Sequence, residues 1–252
     1  MDKELITAYR LFLKDNIRKV VDFSQTDQNR GIAPPPLEKP FSPEANRMDL
    51  PQYDQLKDIG KIDLKETIHN RKSRRSYSHQ PLSMDELSFL LWATQGIRQR
   101  LDSGHALRTV PSAGCRHAFE TYLCILNVRD LDQGIYRYLP LEHQLLFEFA
   151  GEDLKKRISQ AVLGQSYPGV AAVTFIWTCI PYRMEWRYGI AAHKVMAIDA
   201  GHVCQNLYLA CEAIGAGTCA IAAYDQEAMD KLLRIDGQDE FTIYLASVGK
   251  KL

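Results

Sequence analysis

The apolar positions of this chain follow two periods, one typical of helices and one typical of strands. Near its start, Leu5, Tyr9 and Phe12 recur at helical spacing, which predicts an amphipathic helix over roughly 3–20. Similar patterns predict further helices over 64–69, 84–96, 153–163, 190–214 and 227–233. Ser83 and Glu86 are spaced as a capping box, which gives the helix over 84–96 a defined start.

Strand patterns lie between these predicted helices. Apolar, β-branched runs predict buried strands over 121–128 and 170–180, a hairpin over 134–138 and 144–149, and an alternating strand over 241–248. We expect the segments 98–118 and 181–189 to be loops. Since helices are mixed with hairpins and do not alternate regularly with strands, the order favours an α+β sandwich over a doubly wound fold.

Residues 22–62 differ from the rest because prolines interrupt them. Pro34, Pro36 and Pro51 are among the prolines that exclude a long helix, so we expect an extended arm. Phe23 and Phe41 favour an arm that docks on the surface or on a partner subunit, and a disordered linker is the alternative. The chain is thus divided into residues 1–63, an N-terminal helix with a proline-rich arm, and a domain over residues 64–252.

Composition excludes several classes of function. The chain has 252 residues, of which 46% are hydrophobic, enough for a substantial core. Lys+Arg and Asp+Glu both number 31, so the chain lacks the basic excess that nucleic-acid binding requires. No run approaches the ~18 apolar residues of a membrane span. The N-terminal segment also lacks the uninterrupted apolar stretch of a signal peptide.

The cysteines point to a reducing compartment. The six cysteines form no C-x-x-C pair, and most lie in apolar runs, so we interpret them as buried thiols. The sequence shows no clustered Cys and His ligands of the kind that binds zinc. We therefore expect a cytoplasmic protein without a metal site, a nucleic-acid partner or a membrane association.

A short cationic segment carries the clearest chemical signal. Four of the five residues from Arg71 to Arg75 are cationic, with Ser73 among them. Arg71, Ser73 and Arg75 alternate, so they share one face of an extended segment. Guanidinium forks, a hydroxyl donor and a following helix N-terminus suit one phosphate group. A solvated charge run is the alternative interpretation.

A glycine-rich segment formally matches a nucleotide-binding pattern. Residues 215–220 read G-x-G-x-x-A, but the dinucleotide fingerprint requires a strand before it and a helix after it. Because a helix is predicted before this segment, we reject a Rossmann site. We interpret Gly215 as a helix C-cap that leads into small residues, where a flat ligand can approach closely.

Five segments together resemble the FMN-dependent nitroreductase superfamily. They are similar to its R-R-S-x-R-x-F signature, its P-S-A/S loop, its D/E-x-G-x-x-x-Q-N-L helix, its G-L-G-x-x-x-I-G-A-F turn and its closing strand, at residues 71–77, 111–114, 199–207, 215–224 and 248–251. The resemblance covers about residues 64–252. It is strongest to the SagB-type, azoline dehydrogenase-like branch, given the proline-rich arm and the spacing from Gly201 to Leu207.

The resemblance implies a nitroreductase-like three-layer sandwich, with a central, mostly antiparallel sheet flanked by helices, in a domain-intertwined homodimer. It implies FMN as the cofactor. Residues implied near the phosphate are Arg71, Lys72, Ser73, Arg75 and, from the last strand, Lys250 or Lys251. Residues implied near the isoalloxazine are Pro111, Ser112, Ala113, Gly114 and Cys115, often across the dimer interface, and Ala220, Ile221, Ala222 and Ala223, whose backbone N–H groups can face N5.

The implied activity is hydride transfer between flavin N5 and a small aromatic, quinone-like or unknown substrate, with electrons from NAD(P)H. Arg187 and Tyr188 are the candidate catalytic residues, because they align with the Lys-Tyr pair of azoline dehydrogenases. Arginine stays protonated and cannot act as a base, which argues against azoline oxidation. The alternatives to this activity are azoline oxidation on a ribosomal peptide within a peptide-modifying complex, and a non-catalytic module that binds flavin or a peptide. For Arg187 and Tyr188 the alternative is a purely structural role.

Overall fold

A computed structural model of the chain describes residues 2–252, so that Met1, the first residue of the predicted N-terminal segment, lies outside the described part. The helices of the described part are α1 (Lys3–Leu13), α2 (Leu64–Asn70), α3 (Met84–Gln95), α4 (Leu154–Ala161), α5 (Tyr182–Tyr188), α6 (Ala192–Ala213) and α7 (Gln226–Leu233). Short 3₁₀ turns connect several of them. The helix predicted over 3–20 is shorter than expected, because α1 ends at Leu13 and only a 3₁₀ turn follows.

The strands of the described residues form one large sheet and one small hairpin. They are β1 (Arg47–Asp49), β2 (Ile97–Arg100), β3 (Ala106–Arg108), β4 (Phe119–Ile125), β5 (Gly134–Leu139), β6 (Gln144–Phe149), β7 (Val173–Cys179), β8 (Ala216–Ile221) and β9 (Phe241–Lys250). The large sheet has the order β1-β6-β5-β4-β7-β9-β8, and each neighbouring pair in it is antiparallel. The predicted α+β architecture is therefore confirmed.

The strands β4 and β7 lie at the centre of the sheet because their apolar runs can be buried on both faces. Every residue of both strands is buried. Leu123 of β4 packs in a core that includes side chains of α3 and α6, whereas Tyr122 and Cys124 pack in a second core with α4 and α7. Since successive strand residues point to opposite faces, the sheet is covered by helices on both sides. This is the predicted three-layer arrangement.

The proline-rich arm lies on the domain instead of forming a free linker. Leu37 and Leu50 of the arm are buried, and β1 adds a strand to the sheet beside β6. The backbone N–H of Lys39 donates to the carboxylate of Glu120 at 2.8 Å, and Arg137 Nη1 donates to the carbonyl of Lys39 at 2.8 Å. The arm thus satisfies polar groups that would otherwise be buried without partners.

Two segments that the sequence predicts as loops contain regular structure. The segment 181–189 holds α5, which begins after Pro181 and buries Arg183, Met184 and Trp186. The first part of the segment 98–118 forms, together with Ile97, the β2-β3 hairpin, whose first strand is mostly exposed. Both elements are short, and their polar residues hide the apolar period that would have revealed them.

The glycine-rich segment 215–220 contains a strand that the sequence did not predict. Residues Ala216–Ile221 form β8, which pairs along its length with β9. Small residues have weak strand propensity, so the pairing with β9 determines the structure here. A helix, α6, precedes the strand and no helix begins directly after Gly217, so the rejection of a dinucleotide fingerprint agrees with the structure.

Candidate functional site

The basic segment runs beside the outer edge of β8. Arg74 N donates to the carbonyl of Thr218 at 2.9 Å, and Ser73 forms an isolated parallel bridge with Thr218. The Arg74 side chain turns inward to Glu212, with Nη2 at 3.2 Å from Oε1, whereas Ser73 and Arg75 are exposed. Arg71 is half-buried and Lys72 is exposed, so exposure follows the predicted alternation only from Ser73 to Arg75.

Tyr208 of α6 connects this segment with β8. Its hydroxyl lies 2.8 Å from Ser73 Oγ and accepts a hydrogen bond from Ala220 N at 2.9 Å. The guanidinium of Arg71 lies over the Tyr208 ring at 5.2 Å from its centroid, a cation–π arrangement. No sequence motif marked Tyr208, although it directly follows the Q-N-L residues of the family-like helix.

The two C-terminal lysines have carboxylate partners. Lys250 Nζ donates to Glu86 and to the carbonyl of Ile214, and Lys251 Nζ donates to Glu212, which also pairs with Arg74. These lysines were expected near the phosphate, yet the structure directs both to acidic side chains. In contrast, Arg71, Lys72 and Arg75 form no ion pair within residues 2–252. Three cations close in sequence are therefore available to an external anion.

The loop 111–115 packs against the first half of α6. A 3₁₀ turn covers Ala113–Cys115, and Ala113 N donates to Asp199 Oδ2 at 3.3 Å. Burial raises the pKa of Asp199 above its ordinary value, against the lowering effect of this hydrogen bond and of His202. Gly114 has φ 60, a left-handed conformation that glycine adopts without strain.

Arg187 and Tyr188 lie directly against this loop. Arg187 Nε donates to the Tyr188 hydroxyl at 3.2 Å. A Cβ atom added to Gly114 would lie 2.7 Å from both of these atoms, so only glycine allows the contact. Loop 111–115 and the candidate catalytic pair, which are far apart in sequence, therefore meet within one chain.

The N-terminal arm covers the same pair. Arg187 Nη1 donates to Gln28 Oε1 at 3.2 Å, and Gln28 N donates to the carbonyl of Trp186 at 2.9 Å. The guanidinium of Arg18 lies 5.9 Å from the centre of the Tyr188 ring. No sequence motif marked Gln28 or Arg18, because their contacts arise only when the N-terminal residues before the domain pack on α5.

The predicted site residues therefore fall into two groups along α6. Asp199, beside loop 111–115, and Tyr208, beside the basic segment, are nine residues apart on this helix, which corresponds to about 13 Å along its axis. At the second group, Ile221 is buried in β8, whereas Ala222 and Ala223 are exposed just after the strand ends. The two exposed side chains that follow the strand are therefore both methyl groups.

Three further features of the described residues concern their thiols, their possible metal ligands and the length and polarity of their helices. All six cysteines are unpaired; Cys115 is partly exposed and the other five are buried. Within residues 2–252, no group of three His, Cys, Asp or Glu side chains could hold a metal ion. None of the helices in that range combines the length and the apolar character needed to cross a membrane.

Comparisons with known sequences match this chain over most of its length. Residues 68–250 match the profile of the nitroreductase family. A provisionally named nitroreductase of Methanocaldococcus jannaschii is 30% identical over 198 residues, which cover 79% of this chain and 96% of that protein. The trifolitoxin-processing protein TfxB of Rhizobium leguminosarum bv. trifolii is 28% identical over 163 residues, covering 62% of this chain and 44% of TfxB.

Two solved structures share the fold. A provisionally named nitroreductase of Ralstonia eutropha has a TM-score of 0.68 and 25% identity, covering 87% of this chain and 95% of its own. The E. coli microcin synthetase McbBCD complex with truncated pro-MccB17 bound has a chain with a TM-score of 0.60 and 19% identity, covering 85% of this chain and 78% of its own.

Proposed function

Because this chain belongs to the nitroreductase family of oxidoreductases, we propose that it binds FMN and transfers hydride between the flavin and a small aromatic or quinone-like substrate, with electrons from NAD(P)H. The observation that carries this proposal is the group of three cations without carboxylate partners, Arg71, Lys72 and Arg75, beside Ser73 and the edge of β8. A single phosphate would balance the positive charge of these side chains and accept hydrogen bonds from them.

The residues of this region fit a flavin mononucleotide. Arg71, Ser73 and Arg75 would hold the terminal phosphate, and Lys72 would add positive charge. Beyond Ala220, the exposed Ala222 and Ala223 present only methyl groups, so the backbone can be approached by a planar ring. A bound flavin would supply the hydride chemistry, while the protein would orient the ring and limit access to it.

Arg187 and Tyr188 would act on the substrate side. The Arg187 guanidinium remains protonated, so it would attract and orient an electron-rich oxygen, such as that of a nitro or quinone group. Its Nε–H donates to the Tyr188 hydroxyl at 3.2 Å, which leaves the hydroxyl hydrogen for another acceptor. The pair would therefore position a substrate and donate hydrogen bonds to it, without acting as a base.

We also infer a homodimer for the active form. Loop 111–115 and the basic segment contact α6 about 13 Å apart, and the family resemblance places such a loop across the interface, where a second copy would bring the two groups together. Light scattering of the flavin-loaded protein checks this inference. A stable monomer with full FMN occupancy would contradict it.

The second candidate function is azoline oxidation on a ribosomal peptide within a peptide-modifying complex. It is favoured by the similarity to the trifolitoxin-processing protein and to the microcin synthetase complex. It is disfavoured by Arg187, since that reaction requires a base and arginine is effectively always protonated. A third candidate is a non-catalytic module that holds FMN or a peptide, which FMN binding without NAD(P)H oxidation would favour.

We expect the purified protein to be yellow, to release FMN rather than FAD, and to oxidise NAD(P)H with nitroaromatics or quinones as acceptors. We expect weak or no azoline oxidation from the wild type. Turnover measured with both substrate classes, for the wild type and for Arg187→Lys, decides between the candidates. A colourless protein that takes up no FMN contradicts the main proposal, and efficient azoline oxidation without reductase activity supports the second.

We expect Arg71→Ala and Arg75→Ala each to weaken FMN binding about tenfold or more, because a hydrogen bond to a charged group contributes roughly 1.5–3 kcal/mol. Titration of the apoprotein with FMN, followed by flavin fluorescence, measures the change. Arg74→Ala is the matched control, since its side chain pairs with Glu212 and should affect stability more than affinity. Equal affinity in all three variants would contradict the proposed phosphate site.

A further inference from the structure

The hydroxyl of Tyr208 is placed between a donor and a serine side chain. The backbone N–H of Ala220 can only donate, so the Tyr208 oxygen accepts that hydrogen bond at 2.9 Å. Ser73 Oγ, at 2.8 Å, is the one acceptor within the described residues that can take the Tyr208 hydrogen. When Tyr208 donates to Ser73, the Ser73 hydrogen is left free.

With this hydrogen free, Ser73 can donate it in a direction away from Tyr208. Ser73 is exposed, and two cations without ion-pair partners lie near it in the segment. Arg71 and Arg75 flank Ser73 two residues away on either side, and neither forms an ion pair within residues 2–252. The Tyr208 ring also lies under the Arg71 guanidinium. One tyrosine thus orients a hydroxyl donor and a guanidinium donor, whereas Arg75 lies over the Tyr167 ring.

From this arrangement we propose that Tyr208 is a positioning residue of the anion site: its hydroxyl directs the Ser73 O–H toward the phosphate of bound FMN and ties the basic segment to β8. This role rests on the proposed function, because it requires that the site binds FMN. In this role Tyr208 affects FMN binding through Ser73, which makes the two residues energetically dependent on each other.

The role is tested by measuring the affinities of FMN and of riboflavin, which lacks the phosphate, by flavin fluorescence. The variants are Tyr208→Phe, which keeps the ring under Arg71, Ser73→Ala, and the double variant. We expect Tyr208→Phe to weaken FMN binding about three- to tenfold, as for one net hydrogen bond. Riboflavin affinity should change by less than about twofold, because riboflavin carries no phosphate for Ser73 to bind. The double variant should be no weaker than the weaker single variant.

Tyr136→Phe is the control, since Tyr136 also loses one hydroxyl bond, to the carbonyl of Asp132 at 3.0 Å, but lies on β5. It should leave both affinities unchanged. Additive effects of Tyr208→Phe and Ser73→Ala, or an equal loss for FMN and riboflavin, would overturn the positioning role while the proposed function stands. A wild type that binds neither flavin would overturn the proposed function and this role together.

Discussion

Glu120→Ala is expected to lower the free energy of unfolding by about 3–5 kcal/mol, because it leaves the buried Arg183 guanidinium without its counterion, whereas Arg137 keeps Glu148. The Glu120 carboxylate is buried on β4, accepts from Arg183 Nη2 and lies 3.6 Å from Arg137 Nη1. Burial by itself would raise the pKa of Glu120, but these two guanidiniums hold it below its ordinary value. The charge of Glu120 is therefore stabilised by these two guanidiniums together with the backbone N–H of Lys39.

Urea denaturation of the wild type and the variant measures this effect, with the midpoint and slope fitted separately. Glu142→Ala is the matched control, since Glu142 is exposed and forms no ion pair within the described residues. Glu120→Gln keeps the shape and removes the charge, so it should also destabilise the protein. A loss below about 1 kcal/mol for Glu120→Ala would show that water reaches the guanidiniums.

The contribution of Glu38, in the arm, to stability is expected to fall by about 2–4 kcal/mol as the pH rises from about 4.5 to about 7. Glu38 is 8% exposed, and its Oε2 accepts from Leu141 N at 3.2 Å. Burial raises the pKa of Glu38 to about 7, with the carboxylates of Glu120 and Glu142 adding to the effect and the Leu141 hydrogen bond and Arg108 opposing it.

The sign follows from proton binding. Between about 4.5 and about 7 the folded protein holds a proton on Glu38 that the unfolded chain has lost, so raising the pH favours unfolding. The contribution is complete below the ordinary pKa and is lost as the pH passes the folded pKa. In denaturation at a series of pH values, we expect the stability of Glu38→Gln relative to the wild type to rise by this amount over that range, whereas Glu44→Gln, at an exposed arm carboxylate, should follow the wild type. A pH dependence of Glu38→Gln equal to that of the wild type would assign the pH dependence to other groups.

The sequence predicts the central strands well, because burial on both faces requires long apolar runs such as those of β4 and β7. The sequence does not predict strands that form because they pair with a neighbouring strand and not because of their own composition. Residues Ala216–Ile221 are small, and they become a strand through their pairing with β9. Arg47–Asp49 are exposed, and they form a strand because they pair with the outer edge of β6. Such elements depend on neighbours that are distant in sequence.

The candidate site shows the same division. The basic segment and loop 111–115 are each contiguous in sequence, so their residue types alone suggest a role. Tyr208 lies 135 residues from Ser73, and nothing local reveals that their hydroxyls meet. The pairing of Lys250 and Lys251 with Glu86 and Glu212 is likewise tertiary. Sequence motifs therefore locate cations, but only the folded arrangement shows which of them are already neutralised.

The place of β1 in the sheet has a consequence for the solubility of shortened forms of this chain. Backbone groups of β6 and of His143 just before it are paired by the arm, with Phe147 N donating to Asn46 O at 2.9 Å and Leu50 N donating to His143 O at 3.1 Å. Removal of the arm would expose this edge together with apolar side chains such as Leu146. An open, apolar strand edge is a template for pairing with another molecule. The arm therefore protects the protein against edge-to-edge aggregation, whatever it contributes to the site.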